Sequence, residues 1–564
     1  MAIVNGHQKA GQGNKCRDTP IHANRHLRVI CIGSGASGLH LMYKMKREFT
    51  NVSLDVYEKN PDVGGTWYEN RYPGCACDTP AHNYVYSFEP NHSCRFAVKY
   101  DLRKYIKTQH EVVGATWVEE RACWVVSIRR PDNTILNQEC DWLISGAGIL
   151  NAWRWPAIPG IDKYQGQLLH SAAWDQSVDV AGKHVGLIGN GSSGIQILPK
   201  MQEKADHVTT FIREATWISA TPGMEYRKYT DEEREEFVLH PDKLTELRKA
   251  SEKAIGEIFP VVFDGSAAQK QLEGFIKDRM IEKLNNKDLE RLLIPDFAFD
   301  CRRITPGTAY LQSLTKPNVT TIYGEIKEIT ETGCVTADGK EYPTDVLICA
   351  TGFDTSFRPR FPLIGREGRD LAREWELEPR SYLGLATSGF PNYFMYLGPN
   401  CPIANGPIIF SIELQTEYML RFLNRWQKED VRSFDAKKEA VDDFMHQKDV
   451  FMDRTVWTGD CLSWYKNPRD GRITAVWPGS TLHYMETLAT PRYDDFSVEY
   501  NGRRFAYLGN GFSQTELNPS VDCAYYIRDR DDGSSLFRNL MSNVDTSEPM
   551  DVKSLGKQGK TLLE

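Results

Sequence analysis

The sequence lacks a long apolar run, since no stretch of about 18 consecutive apolar residues occurs anywhere in it. We therefore expect no membrane span. The N-terminal segment also lacks the apolar core of a secretory signal, and the final residues Leu562, Leu563 and Glu564 match no peroxisomal or retention address. Together these absences favour a cytoplasmic protein.

The sequence also lacks an excess of positive charge. Its 68 lysines and arginines are outnumbered by 76 aspartates and glutamates, which gives a formal net charge of −8. A protein that binds nucleic acid needs basic surface to displace counterions from the phosphates. The charge balance therefore argues against nucleic acid as a partner.

Closely spaced cysteine pairs are scarce among the 13 cysteines. Cys75 and Cys77 form the only close pair, and their spacing does not match a CxxC redox or zinc motif. The number of cysteines is odd and no secretory signal is expected, so we interpret them as reduced intracellular thiols. We expect neither a metal site nor any chemistry from the cysteines.

What the sequence does contain is ample material for a buried core. Hydrophobic residues make up 41% of the chain and aromatic residues 11%, including 13 tryptophans. This composition excludes global disorder. The length of 564 residues indicates roughly two to four domains, and the aromatic content suits the burial of a large flat cofactor.

A glycine-rich turn follows the first predicted strand, residues 27–32, and precedes a helix. The second strand, residues 52–57, ends in Glu58, which can accept hydrogen bonds from ribose hydroxyls and would repel a 2′-phosphate. The glycines let a pyrophosphate approach the helix N-terminus. This first site therefore suits FAD or NAD, and its predicted binding residues in the turn are Gly33, Gly35, Ser37 and Gly38.

The same pattern recurs after a strand predicted at residues 183–188. Here the following strand, residues 207–212, ends in Arg213 instead of an acid. A guanidinium at that position can pair with the 2′-phosphate of NADP. We therefore predict FAD in the first site and NADPH in the second, with hydride passing between them. The predicted binding residues of the second turn are Gly189, Gly191, Ser192, Ser193 and Gly194.

These two units predict an α/β fold with two Rossmann-like dinucleotide-binding domains and a helical insertion. Within the insertion, Thr230 and Glu233 form a capping box and Pro241 ends that helix. The predicted division is a mobile tail (1–25), an FAD-binding part (26–160), an NADP-binding part (161–223), the helical insertion (224–300), a second NADP-binding part (301–380), a second FAD-binding part with substrate-pocket segments (381–540) and a C-terminal tail (541–564).

Two longer motifs carry a family resemblance. Residues 64–78 fit the pattern GGxWxxxxYPGxxxD, and residues 164–175 fit YxGxxxHxxxWD, in which Tyr164 stands where the family has Phe. The first pattern matches a signature of the Baeyer–Villiger monooxygenases at every fixed position, and the second resembles another signature of that family with the one departure at Tyr164. The chain resembles the fungal branch of that family over roughly residues 27–525.

The resemblance implies an FAD- and NADPH-dependent enzyme that uses O2 to convert ketones to esters or lactones by way of a flavin peroxide. Arg303 matches the family's catalytic arginine, and Asp78 matches the acid that orients it. Arg302 matches the basic neighbour that helps to hold the NADP phosphate. Because an arginine keeps its charge in a dry site, Arg303 suits the stabilisation of an anion.

The resemblance also implies aromatic contacts around the cofactors. Trp67 and Tyr84 resemble flavin contacts, with Thr66 as their neighbour, and Trp464 lies in a segment that resembles the one reaching toward NADP and substrate. The expected substrates are a small-molecule ketone or thioether together with O2.

Other functions stay open on the sequence alone. A flavin-containing S- or N-oxygenase would use the same two nucleotides, and a dinucleotide-binding regulator would need no turnover. Disulfide reductases require a redox cysteine pair beside the flavin, which Cys75 and Cys77 do not offer. The identity of the ketone and the oligomeric state are not predicted.

Overall fold

A computed structural model describes residues 16–90, 93–219, 228–404 and 406–530. The start of the predicted N-terminal tail and the whole of the predicted C-terminal tail lie outside these residues. The described end of the N-terminal tail contacts the rest of the chain, since Arg17 and Arg25 both pair with Asp430. No helix among the described residues is long and apolar enough to cross a membrane.

The first sheet has five parallel strands, and its central strand is the predicted one at residues 27–32. Its run of apolar residues is buried, as expected for a parallel sheet covered on both faces. The helix Ala36–Glu48 follows this strand. In spatial order the strands are Tyr393–Met395, Trp142–Ser145, Leu27–Ile32, Val52–Tyr57 and Ile106–Lys107.

The second sheet repeats this arrangement with five parallel strands of its own. The helix Ser192–Gln202 follows its central strand, which begins one residue later than predicted, at His184. In spatial order the strands are Val319–Tyr323, His207–Ile212, His184–Ile188, Val346–Cys349 and Gln167–His170. The predicted α/β fold with two Rossmann-like units is confirmed.

Smaller sheets flank the two parallel ones. One has four strands, Leu363–Ile364, Glu111–Val118, Cys123–Arg129 and Ile135–Cys140, and another has three, Ile326–Ile329, Gly333–Thr336 and Glu341–Pro343. Two strand pairs complete the set: Ile218–Ser219 with Thr305–Pro306, and Val431–Ala436 with Phe496–Tyr500.

The predicted insertion is helical over its described residues. The capping box is present, with the Glu233 amide donating to Thr230 Oγ1 at 3.2 Å, and one helix ends just before Pro241 begins the next. The helices of this region are Asp231–Leu239, Pro241–Glu257, Ala267–Leu284 and Lys287–Leu293.

The C-terminal part of the chain packs back onto the first Rossmann unit. Its long helix Ile408–Lys428 lies against Ala36–Glu48, where buried His40 shares a 2.8 Å hydrogen bond with Thr416. This contact closes the main hydrophobic core around the first sheet. The remaining α-helices are Thr66–Glu69, Ser93–Lys99, Thr308–Leu314, Leu371–Glu374, Lys438–Met452 and Thr481–Leu488.

Candidate active site

One large cleft joins the two Rossmann units. Its volume is about 1590 Å³, and both glycine-rich turns, Asp78, Arg303 and Trp464 line it. The carboxyl ends of the central strands of both sheets open into this cleft, which is where parallel α/β sheets bind their ligands. The cleft is therefore the candidate active site.

The first turn has the shape that a pyrophosphate requires. Gly33 has a φ of +94°, and a Cβ there would lie 2.7 Å from the Gly146 carbonyl oxygen. Gly38 packs so closely that a Cβ would lie 2.1 Å from the Gly33 oxygen, and it supports the turn from behind instead of lining the cleft. The helix begins after Gly35, and no side chain among the described residues caps it. Its N-terminal amides are thus available to a phosphate.

Glu58 lies at the end of the second strand, with its side chain buried at the wall of the cleft. One carboxylate oxygen accepts from the Ser34 amide at 2.9 Å and from Ser34 Oγ at 3.0 Å, and the other accepts from the Asn60 amide at 2.9 Å. These bonds fix the carboxylate beside the turn. Its position suits an acceptor for ribose hydroxyls.

The second turn repeats the geometry. Gly189 has a φ of +104°, and a Cβ at Gly194 would lie 2.1 Å from the Gly189 oxygen, so Gly194 also packs behind the turn. A Cβ at Gly191 would meet nothing within 4 Å, which leaves space on the cleft side. Ser192 Oγ shares a 2.7 Å hydrogen bond with Thr305, while Ser193 Oγ lies 3.5 Å from the Tyr72 hydroxyl.

Two arginines lie beyond the second turn. Arg213 is exposed in the cleft, and Arg302 lies near enough that the two charges repel. Burial lowers the pKa of Arg302, the Glu214 carboxylate opposes this, and Arg213 lowers it further. Arg302 pairs with Glu214 at 3.0 Å. Two cations facing one space form a suitable site for a phosphate.

Arg303 and Asp78 form a two-pronged ion pair in the middle of the cleft. Arg303 Nε donates to Asp78 Oδ2 at 2.6 Å and Nη2 donates to Oδ1 at 3.0 Å, while Nη1 donates to the Ile403 carbonyl at 2.8 Å. Burial raises the pKa of Asp78, but the adjacent guanidinium outweighs burial and holds that pKa below its usual value. About a third of the Arg303 side-chain surface is exposed, 33%, so the charge faces the cleft.

The predicted aromatic residues also lie in the cleft. Trp67 and Tyr84 meet edge to face with ring centroids 5.8 Å apart, and Thr66 begins the short helix that carries Trp67. Trp464 meets Tyr465 edge to face at 5.0 Å. The sequence-predicted site residues thus lie around one cavity, except for the two glycines that pack behind the turns.

Sequence reasoning missed a set of bonds between residues 72–78 and the second Rossmann helix. The Tyr72 hydroxyl donates to Gln196 Oε1 at 2.7 Å, and Gln196 Nε2 donates to the Ala76 carbonyl at 2.9 Å. These bonds position the loop that ends in Asp78. The one sequence signal for this contact is Tyr72, which occupies a position of the motif at residues 64–78 that is always aromatic.

Tyr465 is a second residue that the sequence did not single out. Its side chain is 1% exposed and its hydroxyl faces Arg303. Burial lowers the pKa of Arg303, but Asp78 and Tyr465 together raise it well above its usual value. Arg303 therefore stays charged.

The expectation that all cysteines are reduced thiols is wrong for one pair. Cys301 and Cys461 form a disulfide, with their Cα atoms 6.2 Å apart. The two residues are 160 positions apart, and the tertiary fold alone brings them together. Ten other cysteines are free among the residues whose side chains the structure describes. Among the described residues, no group of three His, Cys, Asp or Glu side chains is arranged to hold a metal ion.

The donor set fits two dinucleotides. Each turn offers an uncapped helix N-terminus and close glycine packing, which leave a cradle for a pyrophosphate. Glu58 lies beside the first turn, whereas Arg213 and Arg302 lie beyond the second. The charges therefore suit FAD at the first turn and NADPH at the second.

Comparison with known proteins supports this assignment. Residues 31–98 match the NAD(P)-binding Rossmann-like domain family. The chain is 38% identical over 534 residues to the FAD-binding monooxygenase moxY of Dothistroma septosporum, covering 89% of this chain and 85% of that protein. It is 33% identical over 518 residues to a Baeyer–Villiger monooxygenase of Streptomyces coelicolor, covering 88% and 97%.

Solved structures show the same fold. The chain matches cyclohexanone monooxygenase from Rhodococcus sp. Phi1 bound to NADP+ with a TM-score of 0.74 and 26% identity, covering 85% of this chain and 100% of that one. It matches OTEMO in complex with FAD and NADP with a TM-score of 0.72 and 25% identity, covering 84% and 100%. The chain therefore belongs to the Baeyer–Villiger monooxygenase family, a family of FAD- and NADPH-dependent flavoproteins.

Proposed function

We propose that the protein converts a small-molecule ketone to an ester or lactone with O2, FAD and NADPH. The observation that carries this proposal is the bidentate Arg303–Asp78 pair, which lies in the same cleft as both nucleotide-binding turns. Bound FAD, once reduced by NADPH, would activate O2, and one oxygen atom of that O2 would be transferred to the substrate. The chain supplies binding, orientation and charge.

The first turn and its neighbours would hold FAD. The amides after Gly35 would meet the pyrophosphate and Glu58 would accept from the ribose hydroxyls, because both face the cleft beside the first sheet. Trp67 and Tyr84 form an aromatic corner that suits the flat ring system. The predicted FAD-binding residues are Gly33, Gly35, Ser37, Gly38, Glu58, Thr66, Trp67, Asp78 and Tyr84.

The second turn and the two arginines would hold NADPH. Arg213 has no hydrogen-bond or ion-pair partner among the described residues, and Arg302 is held by Glu214. Both guanidiniums can donate to a 2′-phosphate, which NADH lacks. Because the Glu214 carboxylate offsets the positive charge of Arg302, the preference for NADPH over NADH rests mainly on Arg213. The predicted NADPH-binding residues are Gly189, Gly191, Ser192, Ser193, Gly194, Arg213, Arg302, Arg303 and Trp464.

Arg303 would stabilise the negative charge that develops on the ketone oxygen during the reaction. When oxygen is added to the carbonyl carbon, the ketone oxygen becomes negative, and a fixed donor is typically worth about 3–4 kcal/mol there. Asp78 and the Ile403 carbonyl hold three nitrogens of the guanidinium, which fixes the direction of its remaining N–H groups. Arg303 is therefore the catalytic residue and Asp78 orients it.

We also propose that the chain divides as the sequence predicted, with the FAD part at 26–160 and 381–540 and the NADP part at 161–223 and 301–380. The parallel strand Tyr393–Met395, which joins the first sheet, supports this division. A cytoplasmic location is supported by the ten free cysteines.

The test is a panel of linear, cyclic and fused-ring ketones, with ester and lactone products measured by mass spectrometry. We expect products that require both FAD and NADPH, and loss of those products in Arg303→Ala. Ketone oxidation that survives in Arg303→Ala would contradict the assignment. If only thioethers were oxidised and every ketone were left unchanged, the chain would be an S-oxygenase instead.

A further inference from the structure

A covalent bond joins two segments of the cleft. Cys301 precedes Arg302 directly, and Cys461 lies three residues before Trp464. The disulfide between these cysteines therefore ties the segment that carries the paired arginines to the segment that carries the cleft tryptophan. The two cysteines are 160 positions apart in the sequence.

A hydrogen-bond network runs parallel to this bond. The Glu214 carboxylate accepts from Arg302 Nη1 at 3.0 Å and from the Leu462 amide at 3.2 Å. Arg302 Nη1 lies 3.5 Å from the Leu462 carbonyl. The disulfide thus stabilises a junction that includes one of the two arginines proposed to bind the phosphate of NADPH.

A cation lies beside both sulfurs. Lys466 Nζ is 3.8 Å from Cys301 Sγ and 3.7 Å from Cys461 Sγ. A nearby ammonium stabilises a thiolate. Because a disulfide exchanges faster when the departing sulfur is a stabilised thiolate, Lys466 favours opening of this bond at either sulfur.

Only a thin layer of chain covers the disulfide. Cys301 is 0% and Cys461 3% exposed, but residues 458–460 above them are exposed, and so is Leu462. A Cβ at Gly459 would lie 3.5 Å from Cys301 Sγ, so a single backbone strand separates the sulfur from the surface. We therefore expect local opening of residues 458–462 to admit a reductant.

We propose that the Cys301–Cys461 disulfide is a redox-modification site that exchanges with dithiols and controls how tightly the cleft holds NADP. This inference rests on the proposed nucleotide site. Among the described residues this is one disulfide beside ten free cysteines, and in a protein of the cytoplasm, the location proposed above, such a bond is typically one that forms and breaks, not a permanent crosslink.

The chemistry needs one reductant and one oxidant. A dithiol attacks one sulfur, the other cysteine leaves as a thiolate and takes up a proton, and the second thiol of the reductant releases the first cysteine. Two cysteine thiols and one cyclic disulfide result, with two electrons transferred. Hydrogen peroxide reverses the step, because two thiols and one peroxide give the protein disulfide and two water molecules.

Reduction should loosen residues 461–465 and weaken nucleotide binding. Since coupling between two sites is reciprocal, bound NADP+ should in turn protect the disulfide from reduction. We expect the Kd for NADP+ to rise by about fivefold or more on reduction, and the equilibrium constant for reduction of the bond by dithiothreitol to fall by the same factor when NADP+ is saturating.

The experiment uses the FAD-loaded wild-type enzyme in its oxidised state and after treatment with dithiothreitol. Alkylation and peptide mass spectrometry report the 301–461 linkage, and fluorescence or calorimetry reports the Kd for NADP+. Cys461→Ser should bind NADP+ as weakly as the reduced wild type and should not respond to reductant. Cys523→Ser, which replaces an exposed free cysteine, should behave as the wild type.

Three results would overturn the inference: no linked peptide in the oxidised enzyme, a Kd that changes by less than about twofold, or a reduction equilibrium that NADP+ leaves unchanged. Absence of NADP+ binding in both redox states would overturn the proposed nucleotide site as well. Equal and measurable binding in both states would overturn this inference and leave the proposed nucleotide site intact. Treatment of the reduced enzyme with hydrogen peroxide should restore the linked peptide and the tighter Kd.

Discussion

Arg303 and Asp78 are 225 positions apart in the sequence and are joined by two hydrogen bonds of 2.6 and 3.0 Å. The guanidinium presents the planar fork that a carboxylate accepts, so two bonds fix its orientation where one would leave it free to rotate. The pair joins two distant parts of the chain. Asp78 ends the loop at residues 72–78, which follows the strand Val52–Tyr57 of the first sheet, and Arg303 lies just before the short strand Thr305–Pro306.

Replacing Arg303 by Ala should lower kcat for ketone oxidation by about 10²–10³-fold, since one fixed donor to a developing oxyanion contributes that much. Arg303→Lys should recover little, because an ammonium does not reproduce the bidentate contact. The measurement is the steady-state rate of ester formation. Arg291→Ala, at an exposed arginine, is the control and should retain full activity. Equal loss in both variants would contradict the role of Arg303.

Replacing Arg213 by Ala should raise the KM for NADPH by about 10-fold or more, because a charge-assisted hydrogen bond contributes about 1.5–3 kcal/mol. The KM for NADH should change little, since NADH has no 2′-phosphate. Initial rates with both nucleotides provide the test, and Lys204→Ala supplies a control that removes an exposed positive charge outside the cleft. A parallel change for NADH would show that Arg213 binds some other group.

Replacing Gln196 by Ala should lower kcat by about 10-fold, because a displaced catalytic group costs that much or more. The loop that ends in Asp78 would lose its bonds to the second Rossmann helix, while the nucleotide turn stays intact. The KM for NADPH should therefore change less than kcat. Gln202→Ala is a matched control on the same helix, since its partner Asn318 lies outside the cleft. Identical kinetics in both variants would exclude this positioning role.

The Asp435 carboxyl predicts a distinct pH dependence of stability. Burial raises its pKa to about 6, although the Gly389 amide and Arg366 oppose the shift. Between about pH 4 and 6 the folded state binds more protons than the unfolded state, so the free energy of unfolding falls as pH rises through that window. Asp435→Asn should remove this fall. Relative to the wild type, the free energy of unfolding of the variant should therefore be about 1–3 kcal/mol higher at pH 8 than at pH 4.

Thermal melts of wild type and Asp435→Asn from pH 4 to 8 measure this difference. A matched control is Asp370→Asn, because Asp370 also accepts a backbone amide, that of Ala372. Its melting temperature should follow the wild-type pH profile. A wild-type profile that is flat across the window would contradict the raised pKa.

The strands of the two Rossmann units and the helix cap could be predicted from the sequence because neighbouring residues specify them. Leu27–Ile32 and Val52–Tyr57 occur as predicted, since apolar β-rich runs flank glycines that only a tight turn explains. The capping box at Thr230 was found for the same reason. Arg303 was identified through the family resemblance, because nothing in its own neighbourhood distinguishes it from a surface arginine.

Contacts between distant segments could be predicted only where the family resemblance implied them, as it did for Arg303 and Asp78. Gln196 pairs with Tyr72 across 124 positions, and Cys301 pairs with Cys461 across 160. No periodicity or spacing reports such a pair, because the fold as a whole determines which side chains meet. The disulfide shows this most clearly, since the sequence favoured free thiols throughout.

The order of strands in the first sheet has a consequence for synthesis on the ribosome. One edge of the strand Trp142–Ser145 stays unpaired until the strand Tyr393–Met395 has been synthesised and pairs with it. The second Rossmann unit and the helical insertion are synthesised between these two strands. At about 5–20 residues per second, the nascent chain keeps that hydrophobic edge open for tens of seconds. Such an edge can pair with other chains, so expression at lower temperature or with a chaperone that shields the edge should improve the yield of native protein.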